Sequence, residues 1–223
     1  MKRKRWFLTI PAAALLAAFA NGAGGWAIVS VQDLPDYAVA GQPVTLTYTV
    51  RQHAEGLLPN LNGTVIARSG SAKVHVAAKP MKEFGHYAAT LTLPNAGDWT
   101  VTIESGFMKA KNTLLPIKVI AAGSAAPAPP APDDRGRRLF VAKGCVTCHT
   151  HSDAKSEMGD AAPELTGKKF APSYLAEFLA NPRIKPSSRP DGWQMPNPHL
   201  KQSEIAPLIA FINSDKRVAV AAK

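Results

Sequence analysis

The sequence predicts two domains, an all-β domain followed by an all-α domain, and three observations support this division. Apolar and polar residues alternate through residues 21–120, as half-buried strands require. Residues 134–214 instead place apolar side chains at helical spacing. Between them, "AAGSAAPAPPAPD" (121–133) is dominated by Ala and Pro and predicts a linker. At about 3.1 Å per residue, it could hold the domains roughly 40 Å apart.

The N-terminus predicts export. "MKRKR" carries four positive charges, an apolar run follows, and "AFA" offers a small-residue cleavage site. We expect residues 1–20 to be a signal peptide and the protein to be periplasmic or otherwise extracytoplasmic. The alternative is an uncleaved membrane anchor from Trp6 to Val31, which is long enough to span a bilayer but is interrupted by Asn21 and three glycines. Membrane contact is expected only in that second case.

The positive charge of the chain is mild once the N-terminus is set aside. Twenty-six Lys and Arg residues face 16 Asp and Glu residues, a formal net charge of +10. Without the four basic residues of "MKRKR", 22 face 16 and the net charge is +6. No dense basic block remains, so nucleic acid is not an expected partner.

The strands of the first domain predict an antiparallel sandwich of immunoglobulin-like type. In "PVTLTYTVR", Val44, Leu46, Tyr48 and Val50 face one way and the threonines face the other. Turn sequences such as "AGQP" and "PNAG" separate the candidate strands. Seven short strands at such spacing are typical of this sandwich. The candidates are residues 26–32, 43–51, 63–69, 72–78, 86–93, 98–104 and 114–120.

The second domain predicts three helices and a C-terminal tail at residues 215–223. Asp133 and Asp134 begin the first helix, where the helix dipole favours anions. Asn181 and Pro182 end the second helix, and Ser203 is the predicted N-cap of the third. The predicted helices are residues 133–144, 171–182 and 202–216.

The sequence "CVTCH" predicts covalent attachment of one haem c. At the end of the first helix, Cys145, Cys148 and His149 would lie at positions i, i+3 and i+4, on one face. Thioether bonds to the two haem vinyl groups would consume both cysteines, and His149 would bind the iron. This spacing is the signature of c-type haem attachment.

Other uses of these residues are less well supported. A redox CxxC pair normally opens a helix in a thioredoxin-like setting, whereas this one closes a helix. A zinc site needs four ligands, and Cys145, Cys148, His149 and His151 are numerically sufficient, but the usual second ligand pair is missing nearby. A disulfide would leave His149 unexplained. We expect His151 to be an exposed polar residue without a functional role.

The identity of the sixth iron ligand decides between electron transfer and chemistry at the iron. Met195 is the preferred candidate because it lies in a loop rich in Pro and Gly, 46 residues beyond His149, with room for the chain to pass around the haem edge. Met158 follows His149 by only nine residues, so reaching the opposite face is harder. His199 is the second choice, ahead of His151.

Residues 134–214 resemble a class I cytochrome c. The segments that carry the resemblance are, in order, "GRRLFVAKGCVTCH", "APELTGKK", "YLAEFLANP", "MPN" and "EIAPLIAFI". The resemblance implies a small all-α fold, one haem with His149 and Met195 as axial ligands, and a carbonyl of Pro163 that holds the His149 ring. Orientation of a ligand by a neighbouring acceptor is common at metal centres.

The same resemblance implies a packing arrangement. Gly136 and Phe140 of the first helix would pack against the last helix, where Phe211 is the matching aromatic residue. Gly192 and Trp193 would lie near the haem pocket, although Trp193 could equally serve packing alone.

The β domain is similar, more weakly, to small exported domains of the FixH/YtkA-like group, through "GHYAATLTLPNAGDWTVTI". That group suggests a respiratory or metal-handling context. Scattered residues of the domain could be interpreted as copper ligands, but their spacing favours ordinary surface and strand positions. They are His53, His75, Met81, His86 and Met108.

These observations favour an electron carrier over an enzyme. We expect it to act as a tethered relay or subunit between redox partner proteins, among them a membrane respiratory complex. Partners would meet the haem edge at the thioethers, steered by the mild positive charge. The alternatives are a peroxidase-like haem enzyme with an open sixth position, and a copper-handling or assembly factor acting through the β domain.

Overall fold

The computed structural model describes residues 25–152, 154–155, 157–159, 161–187 and 192–214. The predicted signal peptide and C-terminal tail lie outside these residues. Within them, no helix has both the length and the apolar character that a membrane span requires. The strands are β1 (Ala27–Val31), β2 (Tyr37–Val39), β3 (Pro43–Gln52), β4 (Gly56–Leu57), β5 (Thr64–Ser69), β6 (Ala72–Ala77), β7 (Lys79–Pro80), β8 (His86–Thr92), β9 (Gly97–Glu104), β10 (Lys111–Thr113) and β11 (Ile117–Ile120).

The strands form two sheets, as the predicted immunoglobulin-like sandwich requires. One sheet has the order β1-β3-β8-β7, with β4 beside β3, and the other has the order β2-β11-β9-β5-β6, with β10 beside β9. Each predicted strand segment contains a strand of the structure. The prediction of a purely antiparallel sandwich is wrong at one place, because β2 and β11 run parallel. β2, β4, β7 and β10 have only two or three residues each, too few to show an alternating pattern.

Alternation along β3 places its apolar residues in the core, as predicted. Leu46, Tyr48 and Val50 are buried between the sheets together with Trp99 of β9. The opposite face of β3 departs from the prediction at Thr49, which is only 1% exposed. A threonine on the outer face of a sheet is buried only when something covers that face, and here the helical domain does so.

The helical domain consists of α1 (Pro132–Ala142), a 3-10 turn (Cys145–Thr147), α2 (Pro172–Ala180), a 3-10 turn (Pro182–Ile184) and α3 (Gln202–Ile212). The helix α1 begins at Pro132, inside the predicted linker, and the two aspartates occupy its first turn. The predicted N-cap at Ser203 is wrong: the helix begins one position after Lys201, whose backbone N–H donates to the Glu204 carboxylate at 2.8 Å. This bond is the glutamate half of a capping box; the Glu204 N–H donates to the Lys201 backbone carbonyl at 2.9 Å, because a lysine side chain has no acceptor.

The first and last helices cross where the sequence resemblance implies. A Cβ atom added to Gly136 would lie 1.9 Å from the carbonyl oxygen of Pro207 and 2.7 Å from Cβ of Phe211, so only glycine allows this approach. The rings of Phe140 and Phe211 meet edge to face, with centroids 5.4 Å apart. Edge-to-face aromatic pairs add stability beyond their buried area.

The linker does not hold the two domains apart. The Arg138 guanidinium donates to the backbone oxygens of Pro35 at 2.8 Å and of Asp36 at 2.9 Å. Arg135 forms an ion pair with the Asp36 carboxylate, and Lys201 forms one with Asp33. The helical domain therefore packs directly on the sandwich, and the separation of roughly 40 Å that a Pro-rich spacer permits is not used.

Candidate cofactor site

The two cysteines lie on a short turn that follows α1. Gly144 adopts a left-handed conformation with φ of 77° and ends the helix, and Cys145 begins a separate 3-10 turn. The backbone N–H groups of Cys148 and His149 both donate to the Cys145 carbonyl, at 3.1 and 2.9 Å. The three residues thus surround one tight turn, although they do not continue the helix as the sequence predicted.

The imidazole of His149 is held in the form that binds metal. Its Nδ1 lies 2.9 Å from the carbonyl oxygen of Pro163. A carbonyl oxygen can only accept, so Nδ1 carries the proton and Nε2 presents a lone pair. Burial lowers the pKa of His149 and the bond to Pro163 opposes that shift, which leaves the ring neutral at physiological pH.

The acceptor at Pro163 is itself fixed by neighbouring backbone. The N–H of Leu165 donates to the Thr150 carbonyl at 2.8 Å, and the N–H of Ser152 donates to the Thr166 hydroxyl at 2.9 Å. These two bonds tie the segment after His149 to the segment that contains Pro163. The orientation of the His149 ring therefore follows from backbone contacts on both sides of the loop.

The cysteines are free thiols in an environment that disfavours their ionised form. Burial raises the pKa of Cys145 to about 12, and burial also raises the pKa of Cys148. Reactive redox thiols need the opposite shift. Conversion to thioethers removes the ionisable group, so these buried thiols fit a c-type haem better than a redox pair.

An apolar cavity of about 330 Å³ joins the cysteine turn to the distant methionine. Cys145 and His149 lie on its wall, and so does Met195. The sulfur of Met195 and the imidazole of His149 are the two soft donors expected around a low-spin haem iron. Most other lining side chains are apolar, among them Phe140, Leu165, Phe170, Tyr174, Leu175, Phe178, Leu179, Trp193, Leu208 and Ile212. This donor set and these walls fit a haem c.

Hydrogen bonds hold the loop that carries Met195 against the preceding segment. The Ser187 hydroxyl donates to the Trp193 carbonyl at 2.6 Å, and the Gln194 amide donates to the Lys185 carbonyl at 3.1 Å. These bonds lie immediately before Met195, and Pro196 follows it and stiffens the chain. The loop is thus fixed on both sides of the methionine.

The other candidate sixth ligands lie elsewhere. Met158 is 37% exposed and is not among the described residues that line the cavity. His199 is exposed and borders a crevice between the two domains, beside Arg51, whose wall also includes His149 and Met195. Of the three candidates, Met195 is the one that also lines the apolar cavity, together with His149.

The expectation that His151 is an exposed polar residue is wrong. Its side chain is fully buried and stacks on Phe211 with ring centroids 4.4 Å apart. Both ring nitrogens are engaged: Nδ1 lies 2.9 Å from the Ser152 hydroxyl and Nε2 lies 2.9 Å from the Ile212 carbonyl. The residue therefore joins the cysteine loop to the end of α3 and has no ligand role.

The residues of the β domain that were considered as copper ligands are His53, His75, Met81, His86 and Met108. Within the described part of the chain, no group of three or more His, Cys, Asp or Glu side chains could hold a metal ion. His53 instead packs edge to face on Trp26, and Nδ1 of His86 lies 3.0 Å from the Phe84 carbonyl.

Two residues next to the site gave no signal in the sequence. Lys143, immediately before the cysteine turn, is 4% exposed and pairs with the buried Glu204 at 2.7 Å. Asn112 of β10 is also buried and donates to backbone carbonyls of both domains. These contacts join residues far apart in the chain, so no local pattern could have indicated them.

Comparison with known proteins identifies the helical part of the chain. The family model described as "Cytochrome c" matches residues 134–216. No curated protein sequence matches the chain. The weaker likeness of the β domain to the FixH/YtkA-like group stays a prediction.

Three solved structures are distantly similar to part of the chain. The chain is 16% identical to the Lin-41 filamin domain, with a TM-score of 0.34, over 41% of this chain and 91% of that one. It is 18% identical to E. coli alpha-2-macroglobulin, with a TM-score of 0.35, over 42% of this chain and 6% of that one. It is 17% identical to a superoxide reductase (neelaredoxin) from Ignicoccus hospitalis, with a TM-score of 0.29, over 44% and 83% of the two chains.

Proposed function

We propose that this chain, whose residues 134–216 are a cytochrome c domain, is an exported one-electron carrier with a single haem c ligated by His149 and Met195. The observation that carries the proposal is the shared cavity, which brings the cysteine turn, the neutral His149 ring and the Met195 side chain together. The haem supplies, when bound, an iron that gains and loses one electron.

The roles of the protein residues follow from their contacts. Cys145 and Cys148 anchor the cofactor covalently, and the Pro163 carbonyl orients His149. Met195 would supply the second iron ligand, and a methionine ligand would favour electron transfer and a high reduction potential. The apolar walls exclude water, so little solvent must reorganise when the charge on the iron changes.

The composition of the cavity favours a carrier over a peroxidase-like enzyme. Haem enzymes that cleave peroxide need acid–base groups on the distal side. Among the described residues that line the cavity, none is acidic, and His149 is the single histidine. Lys185 is the one lysine or arginine among them, and it lies over the Tyr174 ring, 5.8 Å from its centroid.

The cellular setting is part of the proposal and rests on the sequence. A basic N-terminus with an apolar run and a small-residue site supports export to the periplasm or an equivalent compartment. Haem attachment would occur in that same compartment. Electron exchange with redox partner proteins of a membrane respiratory complex would also occur there.

Haem attachment tests this proposal. The full chain, exported in a host that attaches haem c, is expected to keep one haem per chain after denaturation, as measured by intact mass and by absorption. C145S and C148S should each lose one thioether, and the double variant should lose covalent haem. A wild-type protein that releases its haem on denaturation, or carries none, contradicts the proposal.

A further inference from the structure

The outer face of the sandwich at β1 and β3 is covered by the haem domain. Ile28 pairs with Arg51, and Ser30 pairs with Thr49, so these two cross-strand pairs point away from the sandwich core. Outward-facing residues of a sandwich are normally solvated. Ser30 and Thr49 are nevertheless only 6% and 1% exposed.

The covered face lies against the cysteine side of the haem site. A narrow crevice is bordered on one side by these strand residues and on the other by Cys145, Cys148 and Met195. Cys145 and Cys148 would hold the cofactor through two thioethers, and both cysteines border this crevice beside the sandwich. The surface expected to meet redox partners is therefore occupied by the protein's own β domain.

Direct contacts from the sandwich also hold the three residues that precede the first cysteine. The Asn112 amide donates to the Val141 carbonyl at 3.0 Å and the Ala142 carbonyl at 3.2 Å, which caps the end of α1. The same amide donates to the Val29 carbonyl of the edge strand β1 at 2.9 Å. The Val141 carbonyl also accepts from the Gly144 N–H at 2.9 Å, so Asn112 adds to the bonds that satisfy the last carbonyls of α1.

Lys143 and Gly144 continue this line of contacts. The Lys143 ammonium reaches the Gln32 carbonyl at 3.3 Å while it pairs with Glu204. Gly144 packs so closely on β1 that an added Cβ would lie 2.4 Å from Cγ2 of Ile28. Every residue from Ala142 to Gly144 is thus positioned by the β domain, immediately before the turn that attaches the haem.

We propose that the β-sandwich is a fixed wall of the haem site, in which Asn112 and Ile28 are positioning residues that hold the cysteine turn and shield the thioether edge from water and from outside partners. The proposal rests on the proposed function, because it assigns the sandwich a role toward the attached haem. External partners would then exchange electrons at another side of the haem domain.

Two interface variants of the full-length haem protein test whether the sandwich positions the cysteine turn. N112A removes the shared amide, and I28A is a milder change that opens space at Gly144 without removing a hydrogen bond. S105A is the matched control, because Ser105 is buried in the sandwich but bonds only within its own turn, to Phe107. Hydrogen–deuterium exchange of the amides from Gly144 to His149 and the midpoint potential are measured on each holoprotein.

We expect these amides to exchange about tenfold faster in N112A, since the variant loses the buried hydrogen bonds that Asn112 donates to both domains. The midpoint potential should fall in N112A and in I28A, because water at the thioether edge stabilises the more highly charged ferric iron. The control should match the wild type in both measurements.

Haem content, measured on the same samples, distinguishes failure of the proposed function from failure of the proposed role of the sandwich. Wild-type protein without covalent haem overturns the proposed function, and this proposal with it. If the wild type carries covalent haem but both interface variants keep the wild-type hydrogen–deuterium exchange and midpoint potential, the proposed role of the sandwich is wrong and the proposed function stands. Equal effects of S105A and N112A also overturn that role, because general loosening of the sandwich would then be the cause.

Discussion

The role of Met195 as the sixth iron ligand distinguishes an electron carrier from a haem enzyme with an open coordination position. In M195A the sixth position opens, and we expect the weak long-wavelength band of methionine-bound ferric haem to disappear. The midpoint potential should also fall, because the sulfur ligand stabilises ferrous iron. Absorption of the ferric protein and a redox titration measure the two effects.

Met158 provides the matched control for this experiment. It is the other methionine near the attachment turn, but its side chain is partly exposed and lies outside the cavity lining. M158A should keep the band and the wild-type potential. Loss of the band in M158A with its retention in M195A would reverse the ligand assignment.

His151 is expected to contribute to stability alone. In H151A the Ile212 carbonyl loses its partner and a cavity opens beside Phe211, which should lower the free energy of unfolding by about 2–4 kcal/mol. H75A, at an exposed position of β6, should change it by less than about 0.5 kcal/mol. Guanidinium unfolding of the holoproteins provides the comparison, and an intact stability in H151A would contradict the role.

The two histidines of "CHTH" show what sequence reasoning reaches at this scale. The spacing to the two cysteines identifies His149 as the ligand candidate, because the relationship is local. The burial of His151 depends on its contacts with Phe140 of α1 and Phe211 of α3, two helices that are far apart in the chain. Polar neighbours in the sequence therefore predicted an exposed side chain where the structure has a buried one.

At the scale of elements, the crossing of α1 and α3 depends on Gly136. G136A should force the helices apart and lower the free energy of unfolding by several kcal/mol, because the new methyl group would overlap the Pro207 carbonyl. G56A is the matched control, since the nearest atom to its added Cβ is 4.0 Å away. Thermal unfolding of both holoproteins measures the difference, and equal stabilities would contradict the crossing.

Element types were predicted well, and element ends less well. Alternation and helical spacing identified the seven longer segments and the three helices, because each pattern spans several residues. The end of α1 was misplaced: the left-handed Gly144 separates the helix from the cysteine turn, and the close contact of that glycine with Ile28 comes from the other domain. Long-range packing of this kind leaves no periodic trace in the sequence.

At the scale of the whole molecule, a buried ion pair of the helical domain lies beside the interface with the sandwich. Lys143 joins the end of α1 to Glu204 at the start of α3 and to the Gln32 carbonyl of the sandwich. E204Q leaves the Lys143 charge buried without a counterion and should destabilise the protein by about 3 kcal/mol or more. Denaturant unfolding, followed by haem absorption, measures this loss.

The control for this buried pair is an exposed ion pair, which joins the two domains. Arg183 and Glu55 are 2.7 Å apart, and both side chains are more than half exposed. E55Q should therefore cost less than about 1 kcal/mol. Equal losses in E204Q and E55Q would mean that the burial of the first pair has no energetic importance.

The docking of the two domains was the least predictable feature of the molecule. A stretch rich in Ala and Pro indicates a spacer, and its composition carries no information on whether the domains on either side touch. The contacts that decide the question join side chains on the helices to backbone carbonyls of the sandwich, as between Arg138 and Pro35. Every residue has a backbone carbonyl, so the sequence does not indicate which carbonyls accept hydrogen bonds from the other domain.

The most direct test of the central claim is the ferric spectrum of the purified wild-type holoprotein, recorded with and without cyanide. A closed iron with His149 and Met195 as ligands predicts a low-spin spectrum with the methionine band and slow displacement of that band by cyanide. A high-spin spectrum with rapid cyanide binding would show an open sixth position and would contradict the assignment of this protein as an electron carrier.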